Sequence, residues 1–353
     1  MIESLTEQLR AAQALSRDQV REAISALTEE RVSVDLKADF LAALAVKGET
    51  VEEIAAFARE LRERSIPPPL DAETRAREIL DVCGTGGDRQ NTFNISTAVA
   101  LVAAAAGVTV AKHGNRAITS HSGSADVMEA LGLRIDLEPA EAARSLRERG
   151  FAFFFAPKYH PAFKHIGPAR KLCAERGQRT IFNVLGPVLN PARPSAQLVG
   201  VPGPQLCVPI ARVLQSLGVR RGMVVCGAVS DGAPARDGVF LDELSTLGET
   251  TVAEFYQDRA FAASTMGAEN FPVQRATLAD LRGGDREASA ATVRALLDGR
   301  ERGPKRDAVL LNTAAALFVA GRAPSISEGW ELAAKVIDSG AASAKLAELA
   351  QPM

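Results

Sequence analysis

The sequence predicts an α/β protein in which a small N-terminal α-helical domain precedes a larger α/β domain with a mainly parallel central sheet. Three observations predict it. Apolar residues recur at helical spacing through the first 64 residues, three consecutive prolines interrupt the chain at Pro67, Pro68 and Pro69, and beyond them short apolar runs alternate with helical stretches. A length of 353 residues agrees, because single cores stop growing near ~250–300 residues.

Taken in order, Ser16 with Gln19 and Thr50 with Glu53 have the spacing of capping boxes. Val20, Ile24 and Leu27 then share one helical face, as do Val51, Ile54, Ala58 and Leu61. No β-rich run interrupts this block. At Ser65-Ile66-Pro67-Pro68-Pro69 the prolines remove backbone donors and hold the chain extended. The expected division is therefore a helical domain over 1–66, with part of 160–185 as a candidate addition, and an α/β domain over 70–353. Strands are expected at Ile79–Cys83, Val108–Ala111, Phe151–Phe155 and Met223–Val229. Helices are expected at Ala98–Ala106, Ala125–Leu131, Ala140–Arg149, Ala308–Ala320 and Ser327–Asp338. Short buried strands alternating with helices require a largely parallel sheet covered on both faces.

Composition narrows the function. Hydrophobic residues are 46% and charged residues 24%, which is the balance of a globular enzyme and excludes a disordered chain. Lys plus Arg number 41 against 43 Asp plus Glu, a net charge of −2. That total gives no reason to expect a nucleic-acid partner or an anionic membrane surface. The most apolar stretch, Ala98–Ala111, is shorter than the ~18–20 residues a bilayer demands. The opening MIESLTEQLRAA is charged from its third residue and has no apolar signal core. Cys83, Cys173, Cys207 and Cys226 are scattered, without the spacing of a zinc site or a disulfide framework. A cytoplasmic protein is expected, with no nucleic acid and no membrane among its partners.

Two polar clusters carry the chemistry. GTGGDRQNTFNIST, Gly84 to Thr97, directly follows the first expected strand. Its three close glycines allow a tight turn whose N–H groups point at a ligand. Asn94, Ser96 and Thr97 then open an Ala-rich helix, so hydroxyls and free N–H groups converge at its positive end. This is a phosphate-binding design. It is neither a P-loop, since no Gly-Lys-Ser/Thr follows, nor the GxGxxG of a dinucleotide fold. After the next strand come Lys112-His113-Gly114-Asn115-Arg116 and then Ser120, Ser122-Gly123-Ser124-Ala125-Asp126, which read as a second anion seat. Further on, Pro157–Arg179 carries six Lys or Arg against the single Glu175, with His160 and His165 beside them. In a near-neutral chain that excess suggests a bound anion. Asp242-Glu243 are adjacent acids; alone, such a pair is ordinary solvated charge.

With these motifs in this order (GTGGDRQNTFNIST, KHGNRAITSHSGSAD, RTIFNVLGPVLNP and Asp242-Glu243), the chain resembles the anthranilate phosphoribosyltransferase family of tryptophan biosynthesis. The resemblance covers nearly the whole chain, including Lys47-Gly48-Glu49-Thr50 in the helical block. It implies a nucleoside phosphorylase/phosphoribosyltransferase-like fold, a magnesium cofactor, and usually a homodimer joined through the helical domains. It further implies that phosphoribosyl pyrophosphate is held by Gly84, Gly87, Asp88, Thr92, Asn94, Ile95, Ser96 and Thr97. To these it adds Lys112, His113, Gly114, Asn115, Arg116, Ala117, Ile118, Thr119, Ser120 and Ser124. Gly84, Asn115 and Arg170 match positions that contact anthranilate, and His160 is a candidate lining of the aromatic site. Lys112, Asn115 and Arg170 are the residues expected to carry catalysis, and Ser96, Asp242 and Glu243 match the magnesium ligands.

Two segments depart from the family pattern. KLCAERGQ, between Arg170 and Arg179, is about three residues longer than expected, which bears on how Arg170 is aimed. SDGAPARDGVFLDE differs from the usual short approach to the acid pair and makes Asp231 and Asp237 spare metal candidates. The rival readings are a pyrimidine nucleoside phosphorylase, which would need no magnesium-binding acid pair, and a non-enzymatic nucleic-acid-binding relative, which would need a basic surface.

Overall fold

The computed structural model describes residues 1–117, 121–230 and 238–352. Four helices open the chain: α1 (Ile2–Arg10), α2 (Arg17–Thr28), α3 (Val34–Lys47) and α4 (Val51–Glu63). Both expected capping boxes form, Ser16 with Gln19 and Thr50 with Glu53. Glu53 does more than cap. Its carboxylate also takes the Lys47 ammonium at 2.7 Å and the Leu15 N–H at 2.9 Å. The Lys47–Thr50 motif is thus a buried ionic lock that sets the turn between α3 and α4. A buried charge is tolerable only with such full pairing.

The prolines lead through α5 (Ala72–Ala76) into the larger unit. There follow β1 (Ile79–Gly84), α6 (Ile95–Ala105), β2 (Thr109–Gly114), α7 (Ser124–Ala130), α8 (Pro139–Arg149) and β3 (Phe151–Phe155). Next come α9 (Ala156–Tyr159), α10 (Phe163–Glu175), α11 (Phe182–Leu185), β4 (Ala196–Gly200), α12 (Cys207–Ser216) and β5 (Arg221–Ala228). The chain closes with β6 (Phe240–Leu241), β7 (Thr250–Tyr256), β8 (Ala260–Met266), α13 (Arg286–Leu297), α14 (Pro304–Val319), α15 (Ile326–Asp338) and α16 (Ala341–Ala350).

The strands form one sheet in the order β3-β2-β1-β4-β5-β7-β8, with β6 also on β5. Strands β3 through β5 run parallel, and β6, β7 and β8 join antiparallel. The mainly parallel sheet is as expected; the antiparallel edge is an addition to it. The strand order reverses between β1 and β4, where parallel sheets open a ligand crevice at their C-terminal ends. Alternation along the strands feeds two main cores and a smaller third, where Ile79, Ala111, Ala152 and Phe154 pack with α8. Leu80, Val82 and Val110 pack with α6 and α13–α16 on one face, whereas Val199, Val201, Val224 and Cys226 pack with α12 and the first helices on the other.

Helix α10 belongs to that second layer. Lys37 of α3 donates to the His165 carbonyl at 3.1 Å, and Cys173 Sγ approaches the Ala38 carbonyl at 3.5 Å. Just past the C-terminal end of α10, Arg176 pairs with Asp35 and Asp39 of α3. All four cysteines are free thiols, and among the described residues no helix is long and apolar enough to cross a membrane.

Candidate active site

The Gly84–Thr97 segment turns over the C-terminal edge of the sheet and folds onto the acid pair. Asp242 Oδ2 accepts the Gly86 N–H at 2.5 Å and the Thr85 hydroxyl at 3.3 Å, and the Asp242 N–H approaches Asp88 Oδ2 at 3.4 Å. Glu243 receives the Ser96 N–H at the start of α6. The loop, the helix N-terminus and the two acids are one unit.

Close approach explains two of the glycines. Gly84 and Gly200 face each other across the β1–β4 ladder, beneath Asp242. A Cβ at Gly84 would lie 2.6 Å from Asp242 Oδ2, and one at Gly200 would overlap the Asp242 carbonyl. Gly200→Ala should therefore push the 242–243 backbone off the sheet and destabilise the protein by about 1–3 kcal/mol. Denaturant unfolding measures this, and an unchanged midpoint would show that the segment can yield.

Asp242 and Glu243 are 6% and 8% exposed, not solvated surface charge. Burial, with repulsion from Asp88, pushes Asp242 up to about 7. Burial, with repulsion from Asp242, pushes Glu243 well above the carboxylate range. The Lys112 ammonium offsets this only in part, so the pair favours further positive charge. The donors are carboxylates and the Ser96 hydroxyl, hard oxygens suited to magnesium. Among the described residues no three His, Cys, Asp or Glu side chains converge on one metal position, so part of the shell would come from ligand oxygens and water. Magnesium's preference for phosphate and water alongside one or two carboxylates fits this donor set.

Lys112, His113 and Gly114 lie within β2, not in a loop after it as expected. Lys112 is 1% exposed. Its ammonium donates to the Val82 carbonyl at 2.7 Å and to Ser96 Oγ at 3.2 Å, and burial lowers its affinity for a proton. Arg116 is tied to Asp126 at 2.9 Å and to Glu129 at 3.0 Å. Asn115 is exposed, and its side-chain oxygen accepts the Arg116 N–H at 2.8 Å. The Ala117 and Gly123 N–H groups both bind Asp126 Oδ2. Asn94 and Ser122 exchange hydrogen bonds at 3.0 and 3.2 Å, joining the two polar clusters. Ser124 Oγ reaches the Asn115 carbonyl at 3.5 Å, and Thr97 is buried with no protein partner for its hydroxyl. Thr92 bridges to Arg282, and Ile95 is core. Ile118, Thr119, Ser120, Asp231 and Asp237 lie outside the described residues.

A run of rings links β2 to Arg170. His113 meets His160 edge-on at 5.1 Å, His160 stacks on Phe163 at 5.2 Å, and Phe163 meets Phe182 at 5.6 Å. The Arg170 guanidinium then lies over Phe182 at 5.1 Å. Burial lowers His113 to about 3 and His160 to about 4, so both are neutral rings at neutral pH, and each has an unpartnered buried Nε2. Among the described residues Arg170 has no carboxylate partner. Phe163 and Phe182 do not stand out in the sequence, where an isolated phenylalanine cannot be told from core. Arg179 reads there as basic surface, yet its guanidinium donates to the Gly87 carbonyl at 3.2 Å. The segment after α10 thus touches the first glycine loop.

Comparison with known proteins agrees with this geometry. Residues 3–65 match the helical bundle domain of a glycosyl transferase family, and residues 76–343 match its a/b domain. The anthranilate phosphoribosyltransferase of Thermomicrobium roseum is 47% identical over 351 residues, covering 99% of this chain and 96% of that protein. The crystal structure of the Thermus thermophilus enzyme superposes with a TM-score of 0.86 at 41% identity, over 98% of each chain. That of Saccharomyces cerevisiae, in complex with PRPP and Mg, gives 0.85 at 27% identity, over 99% of this chain and 96% of that one. The same yeast enzyme has also been solved in complex with 4-fluoroanthranilate. With identity this high over its full length, and this fold, the chain belongs to the anthranilate phosphoribosyltransferase family.

Proposed function

We propose that the cleft at the C-terminal edge of the sheet performs the family's reaction on phosphoribosyl pyrophosphate and anthranilate. The 5-phosphoribosyl group passes to the anthranilate amine, giving N-(5-phosphoribosyl)anthranilate and pyrophosphate, a step in tryptophan biosynthesis. One observation carries the reading: the glycine loop and the N-terminus of α6 are closed onto a buried acid pair, the Gly86 N–H on Asp242 and the Ser96 N–H on Glu243. Phosphate oxygens suit the free N–H groups of such a loop and helix end.

The division of labour follows from placement. Ser96, Asp242 and Glu243 would hold magnesium, which when bound neutralises charge on the departing pyrophosphate. Lys112 acts from below, as a buried positive charge bonded to Ser96. The Asn94–Ser122 link keeps the two clusters in register. Arg170 would grip the acceptor carboxylate with parallel hydrogen bonds, and Phe163, Phe182 and His160 form the apolar surface beside it. Asn115, exposed just beyond β2 with its side-chain oxygen on the Arg116 N–H, would orient the amine. An aniline-type amine is unprotonated at neutral pH, so alignment and electrostatics suffice without a strong general base. Two units, 1–66 with α10 and the rest of the chain, are proposed to flank the cleft, and the helical unit is proposed as the dimer contact. Met1, Val34 and Val46, all on the helical unit, are exposed apolar side chains that support this.

Loss of anthranilate fluorescence tests the reaction. Consumption is expected only with both phosphoribosyl pyrophosphate and a divalent cation, and should stop on chelation and resume with added magnesium. Undiminished turnover after exhaustive chelation would remove the metal from the scheme.

A further inference from the structure

One buried ionisable group has no part in the scheme above. Asp81 lies in the middle of β1, fully enclosed, and burial pushes its carboxyl up to about 6. The sheet around it is irregular in a specific way. β1 pairs with β2 only at Ile79↔Thr109 and Leu80↔Val110, yet stays paired with β4 as far as Gly84↔Gly200. β2 likewise stays paired with β3 as far as Gly114↔Phe155. From Asp81 onward β1 and β2 are therefore splayed, at the end where both phosphate clusters begin.

Parting two central strands leaves buried backbone groups that need partners. Side chains supply them. Asp81 Oδ1 accepts the His113 N–H at 3.3 Å, and Lys112 Nζ donates to the Val82 carbonyl at 2.7 Å. Asn190 donates to the Ala111 carbonyl at 2.7 Å and to Asp81 Oδ2 at 2.9 Å, while its own oxygen accepts the Ala192 N–H. We propose that Asp81 and Asn190 are a positioning pair that holds β1 and β2 apart at their C-terminal ends and so sets Lys112 and His113–Asn115 for the transfer. Neither touches substrate. The inference rests on the reading of this cleft as the transferase site, and a parent protein without turnover would fail that reading instead.

Asp81→Asn keeps volume and one acceptor but turns an NH₂ toward the NH₂ of Asn190. Asn190→Asp sets acceptor against acceptor. Exchanging both restores donor against acceptor between the two side chains, though not the bond to Ala111. Steady-state kinetics on both substrates, alongside melting curves, distinguish the outcomes. Each single variant is expected to lose at least tenfold in kcat with the donor KM changed less than threefold, since displacements near 1 Å can cost about 10²-fold. The exchange should recover at least threefold over the worse single variant. Single variants that melt lower but keep kcat within twofold would make the pair a stability brace and overturn the proposal, as would an exchange that recovers nothing. If Asp81→Asn does not fold, Asn190→Ser, which leaves the Asp81–His113 bond in place, decides: a several-fold fall in kcat supports the pair, and an unchanged kcat overturns it.

Discussion

Asp242→Asn combined with Glu243→Gln is expected to fold normally and to lose roughly 10²–10⁴ in transferase rate at ordinary magnesium. Both carboxylates are nearly enclosed and both are raised above their ordinary range by burial and by neighbouring acids. In the metal-free protein the charged forms are therefore a cost, and neutral amides of the same shape relieve it. The Asn can still accept the Gly86 N–H that Asp242 accepts now. Melting of the metal-free double variant should thus be no lower than that of the parent. What disappears is the stabilisation that magnesium confers on the parent, since a ligand that binds only the folded state raises its stability. Asp231→Asn and Asp237→Asn should each stay within about a few-fold of the parent, as substitutions outside the metal shell would. Rates at several magnesium concentrations, with circular dichroism as the folding control, decide the matter. A dead Asp237→Asn beside an active double variant would move the metal to the other acid.

Arg170→Ala is expected to raise the apparent KM for anthranilate by about 10–10² while leaving that for phosphoribosyl pyrophosphate within about twofold. A charge-assisted hydrogen bond is worth about 1.5–3 kcal/mol, which corresponds to that range. Burial already disfavours the charged guanidinium, and among the described residues no carboxylate compensates it, so an anionic acceptor has a cation waiting. Arg170→Lys should recover little, because an ammonium lacks the planar fork and the stacking on Phe182. If the donor constant moves instead, the acceptor contact belongs to another residue. Arg179, already bonded to the Gly87 carbonyl, would be the first to test.

Much of the fold was legible because its signals are local. Capping boxes at Ser16 and Thr50, the proline break and the apolar periodicities all act within a few residues, so the first helices and strands β1, β3 and β5 could be placed directly. The antiparallel edge was not legible. Thr250–Tyr256 and Ala260–Met266 are defined by pairing with β5 and with each other, and the second is too exposed to show a buried pattern. Strand β4 was hidden for a related reason: Ala196–Gly200 is a short run whose identity as a strand comes from lying between β1 and β5.

The site divides the same way. By itself the sequence determined the chemistry on offer: a glycine turn opening a helix, a second polar cluster, a local excess of lysine and arginine and an adjacent acid pair. Those are properties of residue type and short spacing. Only the tertiary structure decided that Asp242 and Glu243 are buried against Gly84, Gly200 and Ser96. It likewise decided that Lys112 points down to Val82 and not out of a loop. Asp81 reads as one acid in an apolar strand until β2 is seen to part from β1 beside it. The physical reason is common to all three. Burial and hydrogen-bond partners come from residues 30 to 156 positions apart in the chain, and no local pattern encodes the dielectric and the partners that fix what a charged side chain can do.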